Sequence, residues 1–201
     1  MRRVDKAGDS YCMDTTEVTT AAYTACVQSG KCTAASTGGY LNSGIAGRGN
    51  HPINGVDWNQ ATAYCAVQGQ RLPTEKEWEY AARGTDGRTY PWGNEEPANQ
   101  LCWNGEGNDL GAGNRRSTCA VGSYSKGSSL FGLADMAGNV WEWTSSNHDA
   151  SDTSPSAERV RRGGGWLIGD PSRVRSALRS RVEPTFQGGD LGFRCAGSLF
   201  P

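Results

Sequence analysis

Helical periodicity in this chain ends at Gly84, and nothing after that residue can be written as a helix. Any fold must therefore join an early helical part to a longer late part of short strands and loops. Three helix starts precede the break. In the first, Thr19 is placed as N-cap, Tyr23, Cys26 and Val27 recur at helical spacing, and Gly30 supplies the stop. In the second, Asp57 is the cap, Trp58, Ala61 and Cys65 share a face, and Gly69 ends the run. The third start is the most specific. Thr74 and Glu77 form a Thr-x-x-Glu capping box, in which each side chain satisfies a free amide of the first turn. Trp78, Ala81 and Ala82 then face the core, and Arg71, Glu75, Glu79 and Arg83 stand four apart, a spacing that predicts ion pairs along one face.

Residues 33–51 and 104–118 are polar and glycine-rich without periodicity and read as loop. From Val121 onward, short apolar runs alternate with Gly and Ser turns, as short irregular strands require. The prediction is one α+β domain over residues 1–201, with few helices and much loop. The 28 glycines agree, because they mark turns and close backbone approaches.

A net charge of −1 gives no support to nucleic-acid binding, and no apolar run reaches the length of a membrane helix. The start, MRRVDKAGDS, is basic but is followed by no apolar stretch, so no signal-peptide pattern is present. The seven cysteines contain no CxxC pair, and only His51 and His148 could join them on zinc. Disulfides formed in an oxidising, extracytoplasmic or secreted setting are the better reading, with one thiol left over.

From residue types alone, DMAGNVWEW is the best metal candidate. Asp135 and Glu142 offer hard carboxylate oxygens, and the glycine turn between them can direct backbone carbonyls to one centre, a chemistry suited to calcium. A carboxylate pair held by an arginine or by turn amides explains the same residues. No nucleophile–base pair stands out, and the glycine runs GRGN and GGGW lack the strand-to-helix context of a phosphate loop.

Three stretches, RLPTEKEWEYAARG, DMAGNVWEWTSS and GGDLGFRCAG, lie in one order at domain-scale spacing. Together they resemble the formylglycine-generating enzyme family, the sulfatase-modifying factor domain with a C-type-lectin-like core, from about Tyr11 to the chain's end. The resemblance implies that fold, and it implies a structural calcium ion on Asp135, Gly138, Val140 and Glu142. It also implies a disulfide between Cys65 and Cys195. Cys26–Cys32 and Cys102–Cys119 are expected as local bridges, which leaves Cys12 free. The family's extra N-terminal strand is not recognisable, so a trimmed N-terminal edge is expected.

One departure decides the functional expectation. The family's enzymes hold copper on two cysteines between the Arg-Gly-Gly turn and the final Gly-Phe-Arg, and the matching positions fall near Ile168 and Ser172. No cysteine stands between Gly163 and Asp190, so no copper and no formylglycine formation are expected. The expectation is a non-catalytic domain that presents residues of about 166–190 to a protein or glycan. In this segment Arg175, Ala177, Arg179 and Pro184 are assigned to the scaffold, and the rest follow no helix or strand period. The expected ligand-facing residues are Trp166, Leu167, Ile168, Asp170, Leu178, Arg181, Val182, Glu183, Thr185, Phe186 and Gln187. A specific version is the bacterial variable protein of a diversity-generating retroelement, some of which resemble this family and vary this segment. Two alternatives stay open: an enzyme of the same fold using a non-cysteine site around Asp170, Arg175 and Arg179, and an accessory or sensor domain of a larger, kinase-type protein.

Overall fold

The computed structural model describes residues 1–6 and 8–199. The three helices form where their caps place them. α1 (Thr20–Gln28) begins with the Thr19 side chain accepting from the Ala22 amide. α2 (Trp58–Val67) carries a full capping box, Asp57 with Gln60, and α3 (Glu75–Arg83) carries the expected one, Thr74 with Glu77. Such a cap contributes about 1 kcal/mol, enough to decide where a helix of two or three turns begins.

The charged face of α3 is wired differently from the expected ladder. Glu79 does pair with Arg83 at 2.8 Å. Arg71, however, lies ahead of the helix and makes a bidentate pair with Glu77, while Glu75 reaches Arg179 instead. The four-residue rule holds only where both partners are helical.

Among the described residues, two single-turn 3-10 helices after Gly84 (Ser125–Gly127 and Pro171–Val174), unforeseen in the sequence, and seven short strands complete the fold: β1 (Arg2–Val4), β2 (Tyr11–Met13), β3 (Trp141–Asn147), β4 (Arg159–Arg162), β5 (Ser180–Val182), β6 (Leu191–Gly192) and β7 (Ala196–Gly197). One sheet has the order β1-β2-β7 and the other β5-β4-β3-β6, antiparallel except for the β3–β6 pair. Two of these strands stand at the N-terminus, ahead of the helices. Their pairing partner is at the opposite end of the sequence, where β2 binds β7, so no local pattern announces them.

The interior divides into two clusters. One gathers Tyr23, Tyr64, Trp103, Trp141, Trp143 and Phe193, and the other gathers Tyr11, Met13, Trp78, Leu133 and Met136. Among the links that join helices to strands, two cross this interior from α3. The Trp78 indole N–H donates to Glu142 at 2.7 Å, and the Tyr11 hydroxyl donates to the Glu77 carbonyl at 2.6 Å. The three bridges are those expected: Cys26–Cys32, Cys65–Cys195 and Cys102–Cys119, with Cys12 free. Cys65 and Cys195 are both fully buried, so that bridge ties α2 to the link between the sheets from inside the core. No helix among the described residues is long and apolar enough to cross a membrane.

Candidate functional site

Two places concentrate chemistry: a buried carboxylate cluster under the DMAGNVWEW turn, and the surface made by the C-terminal segment. The turn itself is tightly constrained. Asp135 and Asn139 both hold positive φ, near 57° and 56°, and a Cβ at Gly138 would stand 2.6 Å from the Cys102 carbonyl, so only glycine fits there. Asn139 clamps the Cys102–Cys119 loop by donating its amide to the Cys102 carbonyl and accepting from the Cys119 amide through its side chain.

Beneath this turn lie Glu17, Asp135, Glu142 and Arg194. Glu142 and Arg194 are fully buried and bonded twice, with Arg194 Nε and a terminal nitrogen each 2.7 Å from a Glu142 oxygen. With the Trp78 indole added, both oxygens of Glu142 are engaged. Asp135 accepts from the Gly122 amide at 2.6 Å. Burial raises the Asp135 carboxyl above its usual range, against the lowering effect of that amide and of Arg194. Glu17 has no hydrogen-bond partner for either oxygen, and burial followed by the charge of Asp135 holds its carboxyl well above the usual range.

No group of three or more His, Cys, Asp or Glu side chains among the described residues is arranged to hold a metal. A calcium ion here must therefore be completed by backbone oxygens. The donor chemistry suits it: three buried carboxylates face one guanidinium, and one of the three, Glu17, meets only the carboxyl of Asp135. Glu142, expected as a ligand, is committed to Arg194.

The C-terminal segment is fixed by its backbone. Trp166 donates its amide to the Asn139 carbonyl, Trp141 donates to the Asp190 carbonyl, and Asn104 donates to the Ile168 carbonyl. Further along, Trp58 and Gly55 donate to the carbonyls of Pro184 and Gly188. Gly164 permits the crowded turn, since a Cβ there would stand 2.8 Å from the Val174 side chain.

Between these fixed points the segment does have a period, contrary to the sequence reading. From Val174 to Pro184 the even-numbered residues are buried or half-buried and the odd-numbered ones are exposed. The alternation is hidden in the sequence because serines occupy inward positions 176 and 180. It corrects the list of ligand-facing residues. Trp166 is 1% and Ile168 7% exposed, and Leu178 and Val182 pack against the main core, so these four turn inward. Leu167, Asp170, Arg181, Glu183, Thr185, Phe186 and Gln187 face outward. Arg175 and Arg179, assigned to the scaffold, are exposed too, although Arg179 is tied to Glu75. Of Asp170, Arg175 and Arg179, the alternative set, Arg175 acts on the Asp170 carboxyl but Arg179 is directed elsewhere. Asp170 accepts from the Ser172 side of its own turn, which lowers its carboxyl, while Arg179 pairs across to α3.

Tyr40 is an addition that sequence reasoning missed. Its ring is 62% exposed, sits edge-on to Trp166 at 5.4 Å between centroids, and covers Gly189. The loop carrying it has no periodicity, and only an exposed aromatic among small residues could have singled it out. Gln187 also bonds to Ser36 and Gln60, so the 36–40 loop and the C-terminal segment form one surface.

A family model for the sulfatase-modifying factor enzyme 1-like domain matches residues 3–199. The inactive C-alpha-formylglycine-generating enzyme 2 of Bos taurus is 41% identical over 162 residues, covering 77% of this chain and 52% of that protein. The formylglycine-generating enzyme of Streptomyces coelicolor is 42% identical over 174 residues, covering 77% and 55%. Among solved structures, Treponema denticola variable protein 1 shares the fold, with a TM-score of 0.69 at 24% identity over 94% of this chain and 84% of that one. The chain spans about half the length of the curated relatives it matches.

Proposed function

The chain belongs to the sulfatase-modifying factor family, and on that scaffold we propose a non-catalytic ligand-binding domain that recognises a protein or glycan through its C-terminal loops. The observation that carries this reading is the site's chemistry. Where the family's enzymes place a copper-binding cysteine pair, this chain has Ile168, an aliphatic side chain turned into the core, and Ser172, an exposed hydroxyl. Neither replaces a soft thiolate on copper. The backbone bonds hold the segment without help from outward side chains such as Leu167, Thr185 and Phe186, which leaves these free for recognition.

Those side chains include the residue types that binding hot spots draw on: Phe186 and Tyr40 as aromatics, Arg181 as a cation and Leu167 as an aliphatic. The retroelement version of this reading draws support from the fold shared with the Treponema variable protein, and it requires that close relatives of this chain differ at the outward positions. Three disulfides suit an oxidising, extracytoplasmic setting. A structural calcium ion near the Asp135–Glu142 turn belongs to the same reading, as a staple and not a catalyst.

The identity to the Streptomyces enzyme favours a competing reading, catalysis of the family reaction. Purified protein loaded with copper and given a cysteine-containing sulfatase peptide separates the two. No aldehyde product is expected by mass spectrometry, and conversion of the peptide would overturn the non-catalytic reading.

A further inference from the structure

Among the described residues, Glu17 is the buried carboxyl whose two oxygens both lack a donor. Its side chain is 1% exposed. Its place is not accidental fraying. The backbone on either side is fixed, with Val18 donating to the Phe193 carbonyl, Ile53 donating to the Val18 carbonyl, and Ala134 donating to the Thr15 carbonyl. The segment 15–18 therefore runs between the Asp135 turn and the link from β6 to β7 that carries Arg194. The strongest charges acting on Glu17 are Asp135, then Arg194, then Glu142.

Arg194 cannot serve as its counterion, because the guanidinium is already used. Two nitrogens bond to Glu142, one of them also donates to the Ala134 carbonyl, and the third donates to the Asp14 carbonyl. Three carboxylates and one guanidinium are thus enclosed together. An unpaired buried carboxylate is costly enough that such groups are paired, protonated or bound to a cation. A divalent cation balances this set, and a hard one takes carboxylate and carbonyl oxygens.

Resting on the calcium reading above, we propose that Glu17, together with Asp135, supplies the carboxylates of that calcium site, while Glu142 stays with Arg194 as a buried ion pair. Glu17 stands more than a hundred residues before the turn in sequence. Calcium would then tie the chain's N-terminal region to the Asp135 turn, and would do more than stiffen one loop.

Calorimetric titration of the chelator-treated full chain with calcium chloride tests this, using the wild type and the isosteric variant Glu17→Gln. The wild type is expected to bind one ion. Glu17→Gln is expected to bind at least a hundredfold more weakly, and to melt higher than the wild type in chelator because it removes an uncompensated charge. Glu17→Asp keeps the charge and is expected to retain weakened binding, which serves as the measurement if Glu17→Gln does not fold. Unchanged affinity in Glu17→Gln, or in Glu17→Asp where that variant stands in, overturns the role of Glu17 but leaves calcium in place. A wild type that binds no calcium overturns the calcium reading and this inference together, and a chelated wild type that gains stability on acidification then assigns the charge balance to protons.

Discussion

Removing the three disulfides one at a time should produce a graded loss of stability, with the Cys65–Cys195 bridge far ahead. In the chain-entropy model a bridge acts mainly by restricting the unfolded chain, and its effect grows with the logarithm of the closed loop. The bridges span separations of 130, 17 and 6 residues. For these spans the relation gives about 5, 3 and 2 kcal/mol for Cys65–Cys195, Cys102–Cys119 and Cys26–Cys32. Packing acts in the same direction. Cys65 and Cys195 are fully buried, whereas Cys32 and Cys119 are only partly so, and alanine at the first pair leaves the larger void. The gap of about 3 kcal/mol between the longest and shortest bridges corresponds to about 6–12 °C in Tm for a domain of this size. Double alanine variants of each pair, with Cys12→Ala as an unbridged control, would be compared by urea unfolding and by calorimetry. The reasoning fails if Cys65→Ala/Cys195→Ala is no less stable than Cys26→Ala/Cys32→Ala.

Arg194→Met should be severe, because it leaves Glu142 buried without its cation; a loss of about 3–5 kcal/mol is expected, read as a fall of about 6–20 °C in Tm. A small fall would mean that the Glu142 environment is wetter than its full burial implies. Acid should weaken the fold through His51. Burial and then Arg48 hold its imidazole below the usual 6.5, while its ring nitrogen bonds to Thr118. The unfolded chain therefore binds the proton more readily, so stability is present above about 6.5 and declines as pH falls through the folded value. His51→Gln should lose less Tm than the wild type between about pH 7.5 and 5.5, a window spanning the ordinary histidine range, and equal losses would remove His51 as the cause.

Much of the fold was legible because its signals are local. Thr19, Asp57 and Thr74 each carry a cap and a helical face within a dozen residues, and the glycines that end these helices follow directly. What escaped the sequence depends on distant partners. β2 is three residues long and exists because β7 lies beside it, and Glu75 turns to Arg179 because the fold brings β5's approach over α3. The site divides in the same way. The limits of the C-terminal segment could be read from its glycines and from its missing cysteines. The direction of each side chain could not, since inward Ser176 and outward Phe186 reverse the usual polarity rule. Glu17 was invisible for a related reason. In TTEVTT it reads as one more polar residue before a helix, and only the arrival of Asp135 and Arg194 from far along the chain makes it a buried charge.

The separation of recognition from scaffold is tested most directly by replacing Leu167, Arg181 and Phe186 together with serine. All three side chains are outward, with Leu167 48% and Phe186 43% exposed, and Arg181 is held only by a surface pair with Glu158. Wild type and variant would be melted in parallel and applied to a glycan array and a displayed-peptide library. The account predicts that the wild type binds a defined feature, that the variant loses it by a hundredfold or more, and that the two melting temperatures agree within a few degrees. Unchanged binding, or a variant that fails to hold its fold, would contradict it.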